Sequence, residues 1–332
     1  MAMIFINQSS QAGLLIACGL SSLPDHVASR CKRKLNFSDF RFGISAVAFK
    51  RRKPVKASSV SIETTPTEKS PEREELVLLR GQDPRGVVTL TLNRPRTFNA
   101  LSEAMLAALQ HEFDAIADDK SVRVVVLAAK GKAFCAGHDL KEMRAKPSLP
   151  YYEQLFSQCS EMMLGIQRLP VPVIARVQGV ATAAGCQLVA MCDLAVASSV
   201  AKFAVSGVNL GLFCSAPGVA LSRNVLRKAA FEMLVTGEFI SAEDAKVRGL
   251  INRVVEPDQL DAEVEKLVAT IIAKPRIAVA MGKEFFYRQI ELGIGAAYEA
   301  GAQTMACNMM DEAALEGVQA FIDKRPPRWK QE

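Results

Sequence analysis

The sequence predicts an α/β fold with crossover connections between its strands. Two observations carry this: short β-branched runs are separated by amphipathic helical patterns, and after about Pro257 the runs cease and helical patterns alone continue. A third bounds the size. The chain has 332 residues, 49% of them apolar, enough for one large buried core or two small ones.

Taken in order, the strand signals are "LVLLR" (76–80), "VVTLTLN" (87–93), "VRVVVLAA" (122–129), "VPVIARVQG" (171–179) and "LAVAS" (194–198). Between them, "LSEAMLAALQHEFDAIADD" (101–119) reads as an amphipathic helix. The final third contains helical patterns over 258–274, 276–290 and 297–310 and shows no sheet of its own. Such a region suits packing against the core or a neighbouring subunit. Its Met-rich stretch "TMACNMMDEAALEGVQAF" has helical spacing and reads as core or subunit contact rather than as a plastic binding surface. There is no internal repeat.

The charge is unevenly placed. Residues 1–56 hold ten Lys or Arg against Asp25 and Asp39, while the remaining residues carry 31 basic and 33 acidic side chains. The body therefore gives no reason to expect nucleic acid as a partner. The leader is Ser-rich, acid-poor and basic, with "SRCKRK" and "FKRRKPVK" among apolar residues, the composition of a mitochondrial transit peptide. A secretory reading of "GLLIACGLSS" lacks a preceding positive charge, and the eight cysteines show no paired spacing. A polar, Pro-containing stretch without periodicity follows, so the expected organisation is leader 1–56, disordered linker 57–73, core 74–257 and helical region 258–332. No run of 18 apolar residues is present, and no membrane span is expected.

Two stretches carry the chemistry. In "GKAFCAGHDLKEM" (131–143), Ala136 and Gly137 allow a tight turn after a strand and leave the amide of His138 free to enter a pocket. In "GVATAAGCQLVAMCD" (179–193), Ala183, Ala184 and Gly185 lead from a strand into a helix whose first amides have no internal partner. Two such N–H groups aimed at one point form an oxyanion hole. Either turn alone is a common packing device.

Together with "NRPRTFNAL" (93–101) and the tail "AFIDKRPPRW", these motifs resemble the crotonase superfamily, also called the enoyl-CoA hydratase/isomerase family. The resemblance implies a spiral of ββα units with C-terminal helices that build homotrimers, often paired into hexamers. It implies that the amides of His138 and Ala184 hold an acyl-CoA thioester carbonyl as it becomes an enolate, in fatty acid and lipid metabolism. It places coenzyme A along Arg96, Thr97 and Phe98 and along Ala136, Asp139 and Leu140. Coenzyme A enters as part of the substrate, and no other cofactor or metal is expected. Arg96 and the tail residues Lys324 and Arg325 are candidates for its phosphates.

The family's hydratases add water with two glutamates, and this chain has neither. By the motif match they fall on Gln187 and Gly207, while an aspartate used by some isomerases falls on Ser215. General acid–base groups contribute roughly 100- to 10,000-fold each, so ordinary hydratase activity is not expected. Exchanging Gln187 and Gly207 for glutamate is an informative test, since gained hydratase activity would show that the groove and hole are intact and that only the acid–base groups are missing. Two readings stay open: an enzyme of the decarboxylase type that needs only enolate stabilisation, and a non-catalytic acyl-CoA-binding or assembly partner.

Other side chains read more simply. His138 matters through its amide, and Asp139 accepts bonds from nearby amides. Cys135, Cys186, Cys192 and Cys214 fill the core, without C-x-x-C metal spacing. Glu161 faces solvent. A serine or cysteine hydrolase lacks G-x-S-x-G and has only His26, His111 and His138 to draw on.

Overall fold

Through the middle of the described chain, successive strands are dealt alternately to two sheets, and that alternation positions the site. The structure, a computed structural model, describes residues 76–329, so the predicted leader and linker lie outside the described residues. The described elements run β1 (Leu78–Gln82), β2 (Val87–Leu92), α1 (Glu103–Asp118), β3 (Val124–Ala129), β4 (Ala133–Cys135), α2 (Leu140–Ala145) and α3 (Leu149–Arg168). They continue β5 (Val173–Val177), β6 (Val180–Thr182), α4 (Ala184–Met191), β7 (Leu194–Ser198), β8 (Lys202–Ala204), α5 (Ser215–Asn224) and α6 (Arg227–Thr236). The last are β9 (Ile240–Ser241), α7 (Ala242–Val247), β10 (Arg253–Val255), α8 (Leu260–Ile272), α9 (Arg276–Gln289), α10 (Ile294–Met309) and α11 (Glu312–Ile322).

One sheet has the order β1-β2-β3-β5-β7-β10, antiparallel only between β1 and β2. The other has the order β4-β6-β8-β9, antiparallel only between β8 and β9. Each of the pairs β3–β4, β5–β6 and β7–β8 thus sends its first strand to the first sheet and its second to the other before a helix returns the chain. This is a spiral of ββα units. The short strands of the second sheet, three residues or fewer, carry too little period-2 signal to be seen in the sequence.

The first sheet buries both faces. Val88, Leu90, Leu92, Val125, Leu127, Val173, Ala175 and Val177 point inward with α1, α3 and α4. Their alternates Val87, Val124, Val126 and Ile174 point outward, onto Leu260, Val264, Leu267 and Val268 of α8. Helix α1 begins at Ser102, whose side chain accepts the Met105 N–H, and buries Met105, Leu106, Leu109, Phe113 and Ile116 at helical spacing. All eight residues of α4 are buried, which makes it the central helix of the core.

The strands end at Val255, and the described chain from Leu260 onward is helical up to a short tail. A buried polar network fastens this region to the core. Lys283 on α9, 8% exposed, donates to the carbonyls of Ile166 and Val171 and to Asp193 Oδ2 at 2.8, 2.9 and 2.6 Å. Tyr287 donates to Asp193 Oδ1 at 2.7 Å, and the Val173 N–H to Oδ2 at 2.6 Å. Burial pulls the Lys283 ammonium below its usual range, opposed by the Asp193 charge, and pushes the Tyr287 phenol up.

Candidate functional site

The first turn leaves β4 at Cys135 and is held edge-on by the segment before α1. The Ala136 N–H donates to Phe98 O at 3.0 Å, the Leu101 N–H to Gly137 O at 2.7 Å, and the Asp139 N–H to Leu101 O at 3.4 Å. Leu101 and His138 therefore pair as an isolated parallel bridge. In that geometry the residues flanking His138 make the bonds, so the His138 N–H projects from the opposite edge. It meets no acceptor among the described residues. Gly137 takes φ +87°, open to glycine and costly for other residues.

The second turn leaves β6 at Thr182. Ala183 has φ 51° and ψ −122°, the first central position of a type II′ turn, where glycine is usual. Its N–H donates to Ala204 O at 3.0 Å, and its carbonyl accepts the Gln187 N–H at 3.1 Å as the first bond of α4. The Ala184 N–H, one residue inside the helix, has no intrahelical acceptor and sits at the positive end of the helix dipole.

The two turns touch. A Cβ built on Gly137 would stand 2.9 Å from Ala183 Cβ and 3.1 Å from both Ala184 N and Thr182 O. One on Gly185 would stand 2.1 Å from Cys135 O. Glycine is thus required at both positions for the backbones to approach, and the segments of His138 and Ala184 are brought side by side.

The rim follows from the same bonds. Arg96 and Thr97 lie exposed on a 3-10 turn, Pro95–Thr97, beside Phe98, which is 56% exposed in the left-handed region at φ 52°. The Ala136 N–H already donates to Phe98 O and is not free for a ligand. Leu140 is exposed at the start of α2. Sequence reasoning missed what fixes this rim. Asn99, fully buried at φ 54°, donates through Nδ2 to Lys130 O and Ala133 O, both at 2.8 Å, and accepts the Arg94 N–H at 2.9 Å. Gln178 donates to Gly131 O and Ala133 O, both at 3.1 Å. An Asn tolerates the left-handed region, but its partners more than thirty residues on leave no local signal.

The potential proton carriers are otherwise occupied. Asp139 caps α2, accepting from Lys141 N at 2.9 Å and Glu142 N at 3.3 Å, as a structural acceptor would. Glu142 accepts the Glu103 N–H, and Glu103 holds Lys146 and the Tyr151 hydroxyl. The His138 ring packs edge-on against Phe156 at 5.4 Å, and its buried Nδ1 has no partner. Burial pulls its pKa below the usual histidine range, with the Leu101 backbone opposing, so the ring is neutral near pH 7. Glu161 is exposed and paired with Arg168. Cys135, Cys186, Cys192 and Cys214 are all buried, and burial pushes their thiols up, Cys135 and Cys186 to about 12.

The two substituted positions differ in kind. Gln187 is 5% exposed on α4, and its carboxamide makes no hydrogen bond to the described residues. Gly207 leaves no room for any side chain: a Cβ there would stand 2.5 Å from Leu212 O and 2.6 Å from Cys214 Sγ. A glutamate exchange at the second position is therefore no simple test of the groove, because the 212–214 loop already fills the side-chain space there. Ser215 is exposed, its hydroxyl 3.5 Å from Phe213 O.

The tail also departs from expectation. Arg325 pairs bidentately with Glu316 at 2.7 and 2.9 Å, holding that carboxyl at about 2, and is not free for a phosphate. A groove of about 580 Å³ lies against α8, on the face of the first sheet opposite α4, where Arg85 pairs with Asp83 and Arg176 with Asp261. Its charges are mutually satisfied.

A two-sheet ββα spiral with two touching small-residue turns at a central helix defines the crotonase fold. The profile of the enoyl-CoA hydratase/isomerase family matches residues 82–332, and the chain belongs to that family. It is 46% identical to the mitochondrial enoyl-CoA hydratase domain-containing protein 3 of Xenopus laevis, over 75% of this chain and 84% of that one. The crystal structure of human enoyl-CoA hydratase domain-containing protein 3 shares 44% identity and a TM-score of 0.74, covering 76% of this chain and 100% of its own. An enoyl-CoA hydratase from Mycobacterium smegmatis shares 71% identity and a TM-score of 0.76, over 77% of this chain and 99% of its own. The mitochondrial location read from the basic leader is the one these eukaryotic relatives carry in their names.

Proposed function

We propose that this protein binds acyl-CoA thioesters in the mitochondrion, polarising the thioester carbonyl with the backbone N–H groups of His138 and Ala184, without hydrating enoyl esters by the two-carboxylate route. The contact between the two turns carries the reading, because it sets two amides without acceptors next to each other. Each donor in such a hole is worth roughly 2.7–4 kcal/mol of transition-state stabilisation. Arg96, Thr97, Phe98, Ala136, Asp139 and Leu140 form the rim along which coenzyme A lies, and it arrives as part of the substrate without a further cofactor. The role is in fatty acid and lipid metabolism, within a homotrimer built by the C-terminal helices.

Binding of crotonyl-CoA labelled with 13C at the carbonyl tests this. A carbonyl infrared band moved to lower wavenumber on binding, with no hydration of the double bond, is the expected result. An unmoved band overturns it. Gln187→Glu supplies one carboxylate while Cys214 still fills the second position, so hydration stays at least about 100-fold below that of a two-carboxylate enzyme. Incubation with an alkylmalonyl-CoA separates a decarboxylating enzyme, which releases carbon dioxide, from a binding protein, which does not.

A further inference from the structure

Phe98 and Asn99 are consecutive residues in the left-handed region, at φ 52° and 54°, and neither is glycine. Such backbone persists only where its surroundings hold it. Here the holder is the buried Asn99 carboxamide. Its Nδ2 donates to Lys130 O and to Ala133 O, the first residue of β4, both at 2.8 Å. Its Oδ1 accepts the Arg94 N–H at 2.9 Å, and its own N–H donates to Arg94 O at 2.9 Å. The residues around it carry the other contact: Phe98 O accepts the Ala136 N–H, and Leu101 bonds both Gly137 O and the Asp139 N–H. One side chain bonded to the start of β4 thus fixes the edge on which the turn after β4 leans.

We propose that Asn99 is a positioning residue that aims the His138 N–H at the thioester oxygen, acting through the edge at 98–101, and is more than a support of the rim. The proposal rests on the acyl-CoA reading above. Because Gly137 and Asp139 are bonded to that edge, the His138 N–H leaves from the opposite side, and a rotation of the edge turns it. A hydrogen bond weakens steeply as it bends toward about 120°, so a small rotation is enough to lose the donor. Gln178 supplies the contrast. It donates to Gly131 O and to the same Ala133 O, both at 3.1 Å, and bonds none of residues 98–101.

The carbonyl infrared band of 13C-labelled crotonyl-CoA at saturation, on the full chain, decides it. The band reports the bond in molecules that have folded and bound, not how many have done so. Asn99→Gly keeps the left-handed backbone and removes the carboxamide. Its downshift on binding should shrink by about half, since one of two donors is misdirected, whereas Gln178→Leu should leave the downshift whole. A full downshift in Asn99→Gly, even with a lower Tm, marks a merely structural role and overturns the proposal. So does an equal shrinkage in Gln178→Leu, which would trace the effect to β4 rather than to the edge. In both cases the acyl-CoA reading stands, while an unmoved band in the unmodified chain overturns both. Where Asn99→Gly does not fold, Asn99→Asp replaces it, keeping the shape and the acceptor for Arg94 and offering at most one donor to the two carbonyls. It should show a smaller shrinkage, and a full downshift there overturns the proposal.

Discussion

Ala183 holds a backbone conformation that its own Cβ opposes, and it does so between β6 and the amide of Ala184. Such positions cost on the order of 1–3 kcal/mol. Ala183→Gly relieves that cost and gives back part of it as unfolded-chain entropy, so a gain of about 1 kcal/mol, or roughly 2–4 °C in Tm, is expected by thermal unfolding. The adjoining His138 ring gives a pH signature. Its folded pKa lies below the unfolded 6.5, so the unfolded chain takes up the proton first. The stability is fully present above about pH 6.5 and is lost as pH falls through the folded value. Urea midpoints at pH 5 and 7.5 should show a smaller drop for His138→Leu than for the unmodified chain. The sequence displayed the small residues of both turns and the exchange of a carboxylate for Gln187, because each is local. It could not display that Cys214 Sγ and Leu212 O occupy the side-chain space of Gly207, since that is a contact made only on folding.

Among the elements, the long strands and α1 were readable from their buried alternation and 3.6 period, whereas β4, β6, β8 and β9 were too short to announce themselves. The join between α9 and the core was equally silent. Lys283 lies in an ordinary amphipathic pattern, and nothing near it in sequence indicates Asp193, ninety residues away. The pair is nevertheless complete, with all three ammonium donors used. Asp193→Ala strands a buried ammonium and a phenol and should cost about 3–5 kcal/mol by denaturant unfolding. Lys283→Met removes the charge while keeping an apolar stem, and should cost more than a neutral exchange because it leaves Asp193 with Tyr287 and the Val173 N–H alone.

At the scale of the whole molecule, the C-terminal helices leave apolar side chains uncovered. Tyr298, Met305 and Phe321 are 76%, 72% and 85% exposed, so the Met-rich stretch is not core within this chain. An apolar face of this kind suits association with a second copy. The double variant Tyr298→Glu and Phe321→Glu should run as a monomer in size-exclusion chromatography with light scattering, against a trimer for the unmodified chain. The bonds of Trp329 to Ala273 O and of Arg325 to Glu316 keep the tail folded back on the same region. The crowding around Gly207 sets which exchanges the site can accept. Changing Gln187 to a carboxylate is a single exchange, but no later exchange at Gly207 is tolerated until the neighbouring backbone moves aside first. A second carboxylate at this site therefore calls for remodelling a segment rather than for two single exchanges.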